Sequence, residues 1–216
     1  SGVVAVNYTA AVTAPADPVA VAPTDRSMYL RPSRYAECDK FFGFAAGQFD
    51  ASLPAGELLD QVTAFVEDRL DYIPGASDPI DGAVDTLLAG AGVCRDYAHL
   101  VVALLRALNI PARYVHGYLP VLDGAPQPPV MDFHAWTQVW LDGRWWDVDA
   151  RWNRRFKGRT VIGQGRDAAL GRVEGVAQEA TGGMNVEDFT VIPGGLRVSV
   201  AGSDIKFSEL EQLQQT

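Results

Sequence analysis

A chain of 216 residues, 48% of them hydrophobic, is long enough to enclose one full core, and with two cysteines it needs neither a disulfide framework nor a structural metal to fold. A formal charge of -9 with the basic residues scattered repels a phosphate backbone on average, which excludes nucleic acid as an expected partner. No long apolar run and no basic-then-apolar leader occur, so a soluble, cytoplasmic protein with no membrane partner is expected, although the opening Ser1-Gly2 is equally compatible with a processed end whose targeting segment is gone.

VVAVNYTAAV reads as one extended strand and PADPVAVAPTDR as a proline-punctuated connector that suits neither helix nor central strand. Residues 1–35 are therefore expected to form a β arm and linker ahead of a core spanning residues 36–216. SRYAECDKFFGFAAGQFDASLPAG is turn-rich. In GELLDQVTAFVEDRLDY, Leu58, Leu59, Val62, Phe65, Val66 and Leu70 recur at helical spacing, and a shorter helix through AVDTLLAG ends at Gly90-Ala91-Gly92. From Arg95 onward Ala98, Val101, Val102, Leu105 and Leu108 form one stripe, a helix buried on that side until Asn109-Ile110-Pro111 stops it, so Cys94 stands at the helix N-terminus.

ARYVHGYLPV follows as a strand and GAPQPPV as a loop. HAWTQVWL and RWWDVDAR are alternating, aromatic-rich runs joined by Asp142-Gly143, the strongest short hairpin signal. WNRRFKGRTVIGQGRD reads as loop and DFTVIPGGLRVSVAG as a hairpin through Gly194-Gly195; a short helix from Ser208, with Glu211 completing a capping box, closes the chain. Helices first and antiparallel strands after define an α+β plan.

Cys38 and Cys94 are expected as free thiols, although a bridge between them is formally open. No CxxC pair, no HExxH and no His-carboxylate cluster at ligand spacing is present, so neither metal nor cofactor is expected. At the mouth of a helix the free amides and the positive dipole end stabilise a thiolate, which makes Cys94 a candidate nucleophile. A small buried thiol is the plain alternative. Of the three histidines, His99 is turned roughly 140° around the helix from Cys94. His116 lies in a strand of open register and reads as structural or superficial.

His134 has better support. If Asp142-Gly143 is a two-residue loop, Leu141 faces Arg144 and Trp136 faces Asp149, which makes His134 and Asp149 diagonal neighbours on one face. Such positions lie about 7 to 8 Å apart at the backbone, a gap that one imidazole-carboxylate hydrogen bond closes. Asp147 shares the face but sits about 13 Å from His134 along the strand, so geometry selects Asp149. Trp136, Trp140 and Trp145 on the same face argue that it is partly buried or lines a groove.

GVCRDYAHL and HAWTQVWLDGRWWDVDA resemble the transglutaminase-like superfamily, specifically its bacterial cysteine peptidase branch; YLRPSRYAECD and RTVIGQGRDAA extend the likeness over about residues 29 to 170. The resemblance implies a papain-like transglutaminase-core fold with a nucleophile-bearing helix packed on an antiparallel sheet. It also implies a catalytic triad of Cys94, His134 and Asp149. Many members read Asp-Pro-Thr at the aspartate where this chain reads Asp149-Ala150-Arg151, a variant found in the bacterial branch. Trp136 is a candidate for shaping an acyl pocket, with plain hairpin packing as the alternative.

The expected chemistry is acyl transfer through a thioester on a peptide or protein substrate, hydrolytic in preference to crosslinking. A protein-deglycosylating amidase, a noncatalytic binding module and a Cys38/Cys94 redox pair stand as alternatives. Oligomeric state is not legible.

Overall fold

The computed structural model describes residues 9–11, 23–119, 133–153, 159–169, 186–192 and 195–200. The GAPQPPV loop and the helix expected from Ser208 lie outside them. Four helices precede the helix that begins at Cys94, and antiparallel strands follow it, so the architecture is α+β.

Helix α3 (Ala55–Arg69) buries Leu58, Val62, Thr63 and Val66, the inward positions of its 3.6-residue repeat. Helix α4 (Ala83–Ala89) ends where Gly90 turns left-handed at φ 69° and its N–H bonds the Thr86 carbonyl at 3.0 Å. Helix α5 (Cys94–Ala107) departs from the expected one-sided burial: every residue from Asp96 to Arg106 is buried. It runs between α3 and α4 and the strands β4 (Ala112–Tyr118) and β5 (His134–Leu141), so it has no solvent face.

A helix enclosed in this way must satisfy its polar residues internally. Arg106 does so by donating to the carbonyls of Ala112 at 3.0 Å, Arg31 at 3.0 Å and Arg166 at 2.6 Å, and to the Ser33 hydroxyl at 3.1 Å. The segment between α1 and α2 and the chain after the main sheet are thereby tied to one guanidinium. Each large aliphatic side chain enclosed here contributes about 1.5–3 kcal/mol.

Three segments differ from expectation. Pro23–Met28 forms α1, because a proline at the first helical position loses no hydrogen bond and brings a helical φ. The turn-rich stretch folds as a short 3-10 turn at Cys38–Lys40 and α2 at Phe42–Gln48, where packing of the Phe41, Ala45 and Phe49 side chains into the core overrides two helix-weakening glycines. The segment read as loop after Arg151 contains β7 (Thr160–Gly165), which pairs antiparallel with β4. Glycines in TVIGQG had hidden its period.

The main sheet has the order β6-β5-β4-β7, with β6 at Arg144–Val148. Asp142 (φ 51°) and Gly143 (φ 81°) make the two-residue turn, and Leu141 pairs with Arg144, Gln138 with Asp147 and Thr137 with Val148, the register expected of that loop. Ala135, Thr137 and Val139 face α5, where the Thr137 hydroxyl donates to the Ala98 carbonyl at 3.3 Å. The tryptophan face is covered instead by Tyr29, whose ring meets Trp145 edge-on at 5.3 Å, and by the Arg113 guanidinium 4.1 Å over Trp145.

Two short strands, β2 (Asp71–Tyr72) and β3 (Ala91–Gly92), pair in parallel ahead of Cys94. Further strands at Thr9–Ala11 (β1), Val186–Ile192 (β8) and Gly195–Val200 (β9) form a three-stranded sheet in which the N-terminal strand is an edge. Ile192 pairs with Gly195, closing the expected C-terminal hairpin.

Gly117 sits at the irregularity where β4 meets β7, opposite His134. A Cβ placed there would lie 1.9 Å from the Thr160 carbonyl oxygen, and backbone cannot step aside as a side-chain tip does. Gly117→Ala is expected to cost about 3 kcal/mol, read as a lower urea midpoint at unchanged slope. An unchanged midpoint would mean that β7 moves freely away from β4.

Candidate active site

The turn that delivers Cys94 is held from several directions. The Asp71 N–H donates to the Gly90 carbonyl at 2.9 Å and the Ile73 N–H to the Gly92 carbonyl at 3.1 Å. Asp96, fully buried at the third position of α5, accepts from the Val93 N–H at 2.8 Å. This carboxylate also accepts from the Ser77 hydroxyl at 2.5 Å and pairs with Arg95 at 3.0 Å. It satisfies an otherwise orphan amide and complements the helix dipole. Gly92 has to be glycine for this arrangement, since a Cβ would come within 2.7 Å of the Asp96 side chain.

Cys94 is the first residue of α5, partly exposed, with its sulfur 4.0 Å from the Phe133 carbonyl and its side chain packed against the cluster of Ala98, Tyr114 and Ala135. His134 opens β5. Its Nε2 lies 2.8 Å from Asp149 Oδ2, and the Cys94 side chain acts on the same imidazole. With Nε2 occupied, Nδ1 is the nitrogen left for the sulfur. Burial opposes the charged ring, yet the hydrogen bonds to Asp149 and Cys94, together with the negative charge of each, more than offset it and push His134 up to about 9. The imidazole therefore holds its proton at neutral pH.

Asp149 follows β6 and is buried. Besides His134, it accepts from the Arg151 N–H at 3.2 Å through Oδ1, and Arg159 Nη1 lies 3.6 Å from Oδ2. Its carbonyl accepts from the Asn153 N–H at 2.8 Å, which fixes the turn. Trp136, only 1% exposed, donates from Nε1 to Asp147 Oδ1 at 2.7 Å, and its ring lies nearly parallel to that of His134 at 6.3 Å. So placed, Trp136 backs the imidazole within the sheet and presents no open surface to an acyl group. Asp147 is shared with the Gln138 amide at 2.9 Å.

The structure thus brings Cys94, His134 and Asp149 together and leaves the other histidines elsewhere. His99 is fully buried in α5 and accepts from the Ala168 N–H at 3.1 Å; burial lowers it to about 3. His116 stacks on Phe133 at 5.4 Å, and burial lowers it to about 4. Cys38 is a buried free thiol, pushed up chiefly by burial, with its sulfur 3.7 Å from the Leu30 carbonyl. Among the described residues no group of side chains is arranged to hold a metal ion, and no helix is long and apolar enough to cross a membrane.

The two neutral histidines set a pH dependence of stability. Unfolded, each takes up a proton near its ordinary value, so their contribution is complete above about pH 6.5 and is lost as pH falls through the folded values. Urea unfolding is expected to weaken by up to about 1.4 kcal/mol per pH unit per histidine below pH 6.5, and His116→Phe should remove one share of that slope. Equal slopes in both proteins would show that His116 is not kept neutral by the fold.

Two features of the site had no reading in the sequence. Arg159 reaches Asp149 from the approach to β7 across a turn, and nothing local announces it. Asp96 carried a usable signal, an acidic residue three positions after the N-cap.

A partly exposed sulfur that acts on an imidazole whose Nε2 is held by a buried carboxylate is suited to nucleophilic attack on carbonyl carbon. The chain belongs to the transglutaminase-like superfamily, whose model matches residues 44–150, a span that contains all three residues. It is 40% identical over 102 residues to an uncharacterised protein of Mycobacterium leprae, 46% of this chain and 36% of that protein. With an uncharacterised protein of Mycobacterium tuberculosis it shares 34% identity over 139 residues, 58% of this chain and 43% of that one. The chain therefore spans less than half the length of these relatives. Among solved structures it is similar to a candidate cysteine protease from Cytophaga hutchinsonii, at 32% identity and a TM-score of 0.58, covering 85% of this chain and 57% of that one.

Proposed function

We propose that this chain catalyses acyl transfer on amide or peptide substrates through a thioester on Cys94, with hydrolysis as the outcome. The observation that carries the reading is the imidazole of His134, bonded to Asp149 at 2.8 Å and pushed up to about 9 by that carboxylate and by Cys94 against the pull of burial. The thiolate attacks the carbonyl carbon, the C–N bond breaks, and His134 gives its proton to the departing amine. Water then attacks the thioester, His134 takes a proton from it, and the sulfur leaves as thiolate. Asp149 keeps the ring oriented throughout and stabilises it whenever it is charged. The likeness to a candidate cysteine protease favours water over a lysine amine as acceptor.

The test is a peptide library incubated with and without a primary amine and read by mass spectrometry. Cleaved peptides and free acids are the expected products, little changed by the amine. Predominant amine adducts would reassign the chain to crosslinking chemistry. No product with either acceptor, from protein that still unfolds cooperatively, would favour a binding module that keeps the fold without the reaction.

A further inference from the structure

Next to Asp149 stands a cation that forms no ion pair among the described residues. The Arg151 guanidinium lies 3.9 Å from the Tyr72 ring centre and 4.3 Å from that of Trp152, held between the two faces. Both rings are well exposed, Tyr72 at 38% and Trp152 at 40%, and Ile73 beside them at 48%. Among the described residues the guanidinium makes no hydrogen bond or ion pair, and its Nε is buried without a partner. The nearby Glu67 accepts instead from the Asn153 amide at 2.6 Å.

This platform is joined to the reacting groups from both sides. Tyr72 pairs with Gly92, two residues before Cys94, and the Arg151 N–H bonds Asp149 Oδ1 at 3.2 Å. In a chain of net charge -9, a stacked arginine lacking a carboxylate partner beside such a site is a vacant half of an ion pair. With Nε buried and the rings against it, the guanidinium leaves its two Nη groups to receive a planar two-oxygen acceptor.

We propose that Arg151, clamped by Tyr72 and Trp152, is a specificity subsite that selects substrates bearing a carboxylate close to the acyl group attacked. The inference rests on the proposed hydrolytic function and narrows its substrate class. The carboxylate is supplied either by an acidic side chain or by a free chain end, sources that share one chemistry.

The experiment uses two matched sets of acetylated hexapeptides: Glu scanned against Gln at each position, and free C-terminal acids against C-terminal amides. Wild-type protein is expected to cleave one kind of carboxylate-bearing member about ten- to a hundredfold better than its neutral match, and which set shows the preference identifies the source. In Arg151→Gln that ratio should fall toward one. Neutral members cleaved as well as acidic ones by the wild type, or a ratio that persists in Arg151→Gln, would overturn the proposal.

Should no peptide be cleaved, the hydrolytic reading fails separately, and binding decides this one. The Cys94→Ala protein is then titrated with both peptide sets, with binding followed by isothermal titration calorimetry. A preference for acids that vanishes in Cys94→Ala/Arg151→Gln supports the subsite. Equal affinities, or no binding by either set, contradict it.

Discussion

Cys94→Ala is expected to lower turnover of any cleaved peptide by at least about 10⁴-fold, because among the described residues no other nucleophile acts on the imidazole. Folding should survive the change. The Cys94 side chain is partly exposed and packs against a cluster of small and aromatic residues, so losing one sulfur atom costs about 1 kcal/mol or less. Urea unfolding of both proteins checks this separation of activity from stability. A loss of several kcal/mol with activity retained would make Cys94 a packing residue.

Asp149→Asn carries the second large effect, a fall of about 10² to 10⁴-fold in kcat/KM together with a displaced pH profile. In the native protein the bonds to Asp149 and Cys94 keep His134 protonated up to about 9, so the alkaline limb of activity should lie there. An amide in place of the carboxylate removes one hydrogen-bonded charge, and the limb should move toward the ordinary histidine value. Stability changes in the same sense. A raised folded value contributes fully below about pH 6.5 and is lost as pH rises through about 9, opposite to the trend set by His99 and His116. An alkaline limb unmoved in Asp149→Asn would show that the carboxylate does not hold the proton on the ring.

The parts of this site that follow local rules were legible in the sequence. Asp142-Gly143 admits one tight turn, that turn sets the register of β5 against β6, and the register brings Asp149 to His134. Gly90 at a helix end and the apolar stripe of α5 likewise placed Cys94 at a helix mouth. What escaped notice depends on distant partners. Strand β7 is held by β4 despite its glycines, and α2 by phenylalanines buried against other elements, two cases in which tertiary packing outweighs local preference.

The burial of α5 on all sides was hidden for a related reason. Asp96, His99 and Arg106 look like a solvated face until their partners at Ser77, Ala168 and Arg31 come together from remote parts of the chain. Trp136 shows the converse. Its position on the His134 face was readable, but whether that face opens to substrate or is sealed depended on Asp147 taking its indole N–H, a cross-strand contact two positions along each strand from the candidate pair.

The most direct test of the account is the rate of Cys94 alkylation by iodoacetamide at about pH 6, compared between the native protein and His134→Ala, with buried Cys38 as the internal reference. Rapid modification of Cys94 alone in the native protein, slowed at least about tenfold when the imidazole is removed, is the expected result. Slow modification of Cys94 that is indifferent to His134 would mean that sulfur and ring do not act as a pair.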